Sequence, residues 1–414
     1  MDAKDDKDPE RARIVVVGGG YGGLFTAMQL ERAGQVTLVT SEPNFLHTPL
    51  LYEYMSGEVE AWHIAPAYQE LLGERIRFLQ GAVTGVDFEA REVEVAGRVR
   101  TLSYDYLVLA VGGVTNFWGV EGADRYAMPF RKIRHADDLR ARMIEALDSI
   151  QPDAPPQDAR RAATFVVVGA GASGVELSTK MSDLLYDAFR RRGLKGEPHV
   201  VVVEMGREVV PGMDAGIRRV AERALYERRI EVHTETRVVK VMPDGAVIEH
   251  GGERQEIKAS GVVWTAGVRT NPLVEKLDVE RDRRGLIVVE PSMQIKGRPG
   301  VFALGDIAAY TEVPPSLFGT AQLAFQESDL VAGNVQALID GGVPSRGHFK
   351  ELGEAVSLGT DDAAVLASGQ VVTGQLARQA RFALYTTRLP TWQHRLKVGA
   401  AWFFGGKTPR PLGL

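Results

Sequence analysis

The sequence predicts an α/β protein built from two similar parallel-sheet units, each carrying a glycine-rich turn. Three observations carry this. Residues 14–17 (Ile-Val-Val-Val) and 165–168 (Phe-Val-Val-Val) are unbroken apolar, mostly β-branched runs, as expected of strands covered on both faces. Each run enters a G-x-G-x-x-G pattern, at Gly18, Gly20 and Gly23 and again at Gly169, Gly171 and Gly174. Each pattern leads into helix-like sequence and then a second apolar run, at 35–40 and at 199–204.

The three glycines answer to separate physical demands: a tight turn, room for backbone to approach a pyrophosphate, and close packing of helix on strand. The helix that follows presents unpaired N–H groups and a positive dipole end to phosphate. One copy is weak evidence, because such turns also occur without a ligand. Two copies about 150 residues apart, each in its own strand–turn–helix context, point to two Rossmann-like dinucleotide-binding domains.

Length and composition agree. A chain of 414 residues holds two or three domains, and 44% hydrophobic with 25% charged residues is ordinary for a globular protein. A net charge of −5 with no basic tract argues against nucleic acid as a partner. The chain has no cysteine, which excludes disulfides, thiolate metal sites and any redox mechanism through a protein disulfide or catalytic thiol. No metal site is expected. Residues 1–12 are charged and lack the apolar core of a secretory signal, so they read as a flexible tail. No apolar run reaches membrane-spanning length.

In chain order, the strand at 35–40 ends on Thr40, where an acidic residue commonly holds a ribose; Glu42 is the candidate for that role. Residues 44–57 are aromatic and apolar with little periodicity at their start, and fit a packed loop, either over a flat ring system or simply covering a surface. Residues 76–110 alternate as strands do, with a turn near Ala96-Gly97, and close on a buried strand and glycines that include Gly112. Residues 119–138 read as a crossover, followed by a charged helix to about Ile150 and a proline-rich linker at 151–158.

In the second unit Glu176 follows Gly174 closely. It reads either as a carboxylate complementing the helix dipole or as a cofactor contact or proton-handling group. Glu204 ends the return strand, where an acidic residue reads the ribose 2′-hydroxyl and favours NADH over NADPH; Arg207 nearby softens that preference. Residues 261–267 close this unit as 104–113 close the first. The run 301–307 ends in Gly305-Asp306, a carboxylate able to accept from a ribityl hydroxyl. Gln322 and Gln326 share a helix face, suited to the oxygens of a flat ligand or to plain exposure.

From Ala363 to Leu414 there is no acidic residue, while Arg378, Arg381, Arg388, Arg395, Lys397, Lys407 and Arg410 are basic. Leu376, Ala380, Ala383 and Leu384 fall on one helical face and Arg378, Arg381 and Arg388 on another. After Pro390, Trp392, Leu396, Ala400 and Phe403 make a second apolar face. The pattern fits helices lying on an anionic membrane surface, or an ordinary domain or dimer contact.

After its tail the chain resembles the two-dinucleotide flavoproteins of the pyridine nucleotide oxidoreductase superfamily and, within them, the type II NADH:quinone oxidoreductases. The two fingerprints, Thr48-Pro-Leu-Leu-Tyr, Glu176, Trp264-Thr-Ala-Gly, Leu304-Gly-Asp and Ala321-Gln-Leu-Ala-Phe-Gln carry the likeness. Residues 51–66, 352–359 and 388–399 further resemble the cyanobacterial and chloroplast branch, which includes demethylphylloquinone reductases and accepts NADPH in some members.

The resemblance implies FAD bound by a domain at 13–123 and 280–340, with Gly18, Gly20, Tyr21, Gly22, Gly23, Glu42, Pro49, Leu50, Gly112, Gly305 and Asp306 as contacts. It implies NADH, or NADPH, in an inserted domain at 124–279, with Gly169, Gly171, Gly174, Glu204 and Gly267. A C-terminal region at 341–414 would face the quinone and the membrane, Lys397 adding a cofactor contact. Hydride would pass from NADH to FAD, then two electrons to a naphthoquinone or plastoquinone near Gln322 and Gln326, with Glu176 as a proton relay. The implied setting is peripheral, on the cytoplasmic face of a plasma or thylakoid membrane, with a homodimer as a further expectation. Two rivals are a soluble reductase of a small redox carrier protein and an NADH-sensing interaction flavoprotein.

Overall fold

A computed structural model of the chain describes residues 11–97, 101–310, 312–367, 369–404 and 410–413. Residues 1–10 of the expected tail, and Lys407, lie outside the described residues. Two compact units emerge. The first comprises the chain to Phe45, then 66–114 and 268–351; the second comprises 46–65, 115–267 and 352–414.

The first unit is built on a five-stranded parallel sheet in the order Val301–Ala303, Tyr106–Leu109, Arg13–Val17, Gln35–Thr40, Ile76–Gln80. The strand at 13–17 is central because it is apolar on both alternations: Ile14 and Val16 face one side, Val15 and Val17 the other, and all four are buried. Helix Tyr21–Gln29 crosses one face, and helix Ala321–Ile339 lies against it through an edge-on contact of Phe25 and Phe325 at 4.8 Å. The alternation at 76–110 resolves into five short strands, and Gly97, at φ 112°, lies in the expected turn.

The second unit repeats the plan. Its parallel sheet runs Glu231–His233, His199–Val203, Thr164–Val168, Gly261–Trp264, Met128–Pro129. The registers match as well as the order. Arg13 pairs with Gln35 and Ile14 with Tyr106, as Thr164 pairs with His199 and Phe165 with Gly261. In both units the glycine turn therefore leaves a central strand, with the following strands added on one side until the chain crosses back to its other side, at Tyr106–Leu109 and at Gly261–Trp264. That is the switch point at which ligands bind outside the carboxyl ends of strands.

Four stretches differ from expectation. Residues 46–65, expected in the flavin-binding domain, pack in the second unit, because Leu50, Leu51, Tyr52, Met55, Val59 and Ile64 share its core. Residues 352–414 form no separate module: Val356, Leu358, Phe382, Leu389, Val398 and Trp402 enter the same core. Pro156 begins the helix Pro156–Ala162, cutting the linker short; proline suits a helix start because its missing N–H would be unpaired there. The stretch 44–57 is more regular than a loop, with a 3₁₀ turn Thr48–Leu50 and a helix Leu51–Ser56 closed by Gly57 at φ 78°.

Candidate active site

The two glycine turns share one stereochemistry. Gly18 and Gly169 have φ of 106° and 99°, in the region where L side chains are strained. A Cβ on Gly23 would stand 1.8 Å from the Gly18 carbonyl oxygen, and one on Gly174 would stand 1.8 Å from that of Gly169. The middle glycines differ: a Cβ on Gly20 or Gly171 would meet nothing within 4 Å. Both middle residues stand at ordinary negative φ, −70° and −63°, as N-caps without a side-chain cap. Two positions are thus glycine because the protein needs it. The third opens onto a space that suits a pyrophosphate, so both turns fit a dinucleotide.

Around the first turn, the Tyr68 hydroxyl donates to the Gly19 carbonyl at 2.5 Å, and Leu304 packs on Gly22. Thr40 lies beside Gly19, while Glu42 is exposed two residues beyond the strand end. The Tyr21 ring is buried between Phe25 and Phe45, with centroids at 6.0 and 5.3 Å. Gly112, at φ 65°, also opens onto free space. Gly305, at φ 74°, turns the chain after the strand at 301–303, and its N–H donates to Glu327 Oε2 at 2.6 Å. Glu327 was not singled out from the sequence. Burial, with the Asp306 charge adding to it, pushes its carboxyl up to about 7 against the Gly305 N–H.

The two glutamines of helix 321–339 differ in kind. Gln326 donates from Nε2 to the Lys350 carbonyl at 2.9 Å and accepts at Oε1 from the Lys350 N–H at 2.9 Å. Gln322 keeps a buried Nε2 with no hydrogen-bond partner among the described residues, a state that calls for an explanation in a folded protein.

In the second unit Glu204, at the end of its strand, accepts from the N–H groups of Ala170 and Gly206, both at 2.7 Å. It spans the fingerprint turn and its own loop. Arg207 points to Glu235 at 3.1 Å and is largely exposed. Thr265 donates to the carbonyls of Val168 and Gly169, and Ala266 packs on Gly169, so the loop ending at Gly267 borders the turn.

Glu176 is not at the helix start as a dipole partner; it sits one turn inside helix Ala172–Arg192 and is buried. Its Oε1 accepts from Ser357 N–H at 2.8 Å and Arg381 Nη2 at 2.7 Å. Arg381 Nη1 donates to Glu53 at 2.7 Å and Nη2 also reaches the Pro49 carbonyl at 3.1 Å. Lys180, fully buried one turn beyond Glu176, pairs with Glu58 and stands 3.5 Å from Glu53; Arg378 reaches Glu58 at 2.6 Å. Three carboxylates and three cations thus balance in the core.

Burial raises both carboxyls that share Arg381, but the charges of Arg381 and Lys180 outweigh it at Glu53, whose affinity for a proton falls below the usual range. At Glu176 burial and the Glu53 charge prevail over Arg381, and it is raised. Two acids on one guanidinium are therefore pushed in opposite directions, Glu53 down and Glu176 up.

The sequence places Arg378 and Arg381 on a basic helix face suited to an anionic membrane surface or to a domain or dimer contact; both turn inward to carboxylates. Nothing in a helical wheel marks an arginine as buried when its partners come from 53–58 and 176. Of the remaining candidates, the Leu50 side chain is core, and Lys397 is exposed on helix Trp392–Phe404 without a hydrogen bond among the described residues.

The family model of the pyridine nucleotide-disulphide oxidoreductases matches residues 12–328. The chain is 33% identical over 415 residues to the demethylphylloquinone reductase NdbB of Synechocystis, covering 97% of each. It is 31% identical over 351 residues to the type II NADH:quinone oxidoreductase Ndh of Mycobacterium tuberculosis, covering 81% of this chain and 75% of that one. The structure of NDH2 from Plasmodium falciparum in complex with NADH matches with a TM-score of 0.84 over 98% of this chain and 100% of that one, at 18% identity, which speaks to the fold. With its paired glycine turns and its likeness to these relatives, the first over 97% of both chains, the chain belongs to the pyridine nucleotide-disulphide oxidoreductase family and, within it, to the type II NAD(P)H:quinone oxidoreductases.

Proposed function

We propose that the chain is an FAD-dependent NAD(P)H:quinone oxidoreductase that does not pump protons, taking reducing equivalents from NADH and delivering two electrons to a membrane naphthoquinone or plastoquinone. One observation carries the reading: two glycine turns of the same stereochemistry stand in a chain without cysteine. Two dinucleotides are accommodated, and no protein disulfide is available as the electron acceptor. A relative matching over 97% of each chain, and a second covering 81% of this chain, both named as quinone reductases, support the same acceptor class.

FAD, when bound, supplies the hydride-accepting and electron-returning chemistry. The first turn and Gly305-Asp306 would hold it, and the second turn with Glu204 would hold NADH. Gln322 would donate Nε2–H to a quinone oxygen. With Glu176 Oε1 occupied by two donors, a proton taken up by this carboxyl would sit on Oε2 and would serve the reduction that consumes two protons.

No helix among the described residues is long and apolar enough to cross a membrane. Leu376, Trp392, Leu396, Phe403 and Phe404 are exposed on the two C-terminal helices, with Lys397 among them. This apolar and basic set supports peripheral docking on an anionic bilayer. The test is anaerobic stopped-flow on the flavin absorbance: reduction by NADH, then mixing with a short-chain naphthoquinone. Fast bleaching and fast recovery are expected. Recovery only with a protein electron carrier would overturn the assignment.

A further inference from the structure

We infer that Trp118 is a binding residue for the nicotinamide half of the dinucleotide, covering it at the loop 265–267. The inference rests on the proposed placement of NADH at the second glycine turn and adds a residue and an orientation to it.

Trp118 combines features a surface aromatic does not ordinarily have. The residue is 67% exposed. Its φ is 52°, in the left-handed region where a bulky side chain is a genuine outlier. Strain of this kind persists only where the surroundings impose it, and it gathers at ligand sites. Here the surroundings are built. The Trp118 N–H donates to Asn116 Oδ1 at 2.9 Å, the Asn116 N–H donates to the Gly267 carbonyl at 3.2 Å, and Trp264 Nε1 donates to the Asn116 carbonyl at 2.9 Å. The indole lies so close on Gly267 that a Cβ there would stand 2.4 Å from Trp118 Nε1. That Nε1 donates no hydrogen bond among the described residues.

The sheet order sets the ligand's direction. The strand ends run His199–Val203, Thr164–Val168, Gly261–Trp264, so Glu204 and Trp118 flank the glycine turn on opposite sides. An acidic residue at the end of the second strand takes the adenosine ribose. The pyrophosphate takes the turn between. The other nucleoside then runs toward Gly267, where it meets the indole face and a free N–H donor.

The test is calorimetric titration of the flavin-loaded protein with NAD⁺ and, separately, with ADP, which lacks the nicotinamide nucleoside. Trp118→Asn removes the ring and keeps a residue that tolerates φ > 0; Trp118→Phe keeps an aromatic face. Trp118→Asn should raise the NAD⁺ dissociation constant about tenfold, the scale of losing one aromatic stack on a base, and leave ADP within about twofold. Trp118→Phe should fall between. Unchanged NAD⁺ affinity in Trp118→Asn would overturn the inference, as would equal weakening of NAD⁺ and ADP. Gly171→Val should weaken both ligands; if it weakens neither, the placement of NADH fails and the inference falls with it.

Discussion

Gln326 uses both ends of its amide on the backbone of one residue, Lys350, with Nε2 and Oε1 each 2.9 Å from its carbonyl and N–H. The side chain acts as a short piece of strand, tying helix 321–339 to the segment before Glu351. Gln322, one turn earlier, has a buried Nε2 without a partner among the described residues. Two glutamines equivalent by spacing are therefore unequal in chemistry. Gln322→Ala should spare flavin reduction by NADH and slow quinone reduction about tenfold, the scale of one lost hydrogen bond to the reacting ligand. Gln326→Ala should instead lower thermal stability and raise proteolysis near 345–351, with a smaller effect on the quinone half-reaction. Single-turnover rates for each half-reaction, beside melting temperatures, separate the two.

The middle glycines allow a clean partition of the cofactors. Because nothing within 4 Å meets a Cβ at Gly20 or Gly171, and neither has positive φ, valine at either site costs the fold little. Gly20→Val should yield a folded protein depleted of FAD. Gly171→Val should be fully yellow, yet require at least tenfold more NADH for half-maximal flavin reduction. Flavin content by absorbance and NADH titration check both; loss of flavin from the Gly171 variant would contradict the assignment.

These glycine turns were fully legible in the sequence, because a strand–turn–helix motif is local. So were the parallel strands, which are buried on both faces and need no partner to be recognised. The ion cluster was not. Arg381 meets Glu53 and Glu176 across hundreds of residues, and a wheel drawn for its own helix groups it only with the basic face of Arg378 and Arg388. Glu327 was hidden for another reason: it follows a recognisable motif, but its role depends on the Gly305 N–H, which only the fold brings to it.

The Arg381 node predicts a strong asymmetry between single and double changes. Arg381→Met leaves Glu53 and Glu176 buried without their shared cation. Removing one partner of a buried pair costs roughly 3–5 kcal/mol. Glu53→Gln combined with Arg381→Met should recover a substantial part of that, because the stranded charge goes too. Chemical denaturation of the flavin-loaded variants measures it. Glu176→Gln is different again: it keeps acceptor and shape but carries no exchangeable carboxyl proton. Since Glu176 is raised above the ordinary range, the wild-type quinone half-reaction should fall as pH rises through its titration. The Gln variant should be slower and flat with pH over that interval.

Glu327 gives the sharpest dependence of stability on pH. Its folded carboxyl titrates near 7 against an ordinary value of 4.5, so the folded state holds the proton more tightly than the unfolded chain does. The associated stabilisation is fully present below about pH 4.5 and is lost as pH rises through 7, when a buried carboxylate must form beside Asp306. At about 1.4 kcal/mol per unit, the penalty above pH 8 is roughly 3 kcal/mol. Glu327→Gln keeps an acceptor for the Gly305 N–H and never ionises. It should match the wild type in acid and exceed it in denaturation midpoint at pH 8 and above. The two curves should part between pH 5 and 8. Parallel curves across that range would mean that Glu327 titrates as an ordinary surface acid, and that the Gly305 turn is held by other means.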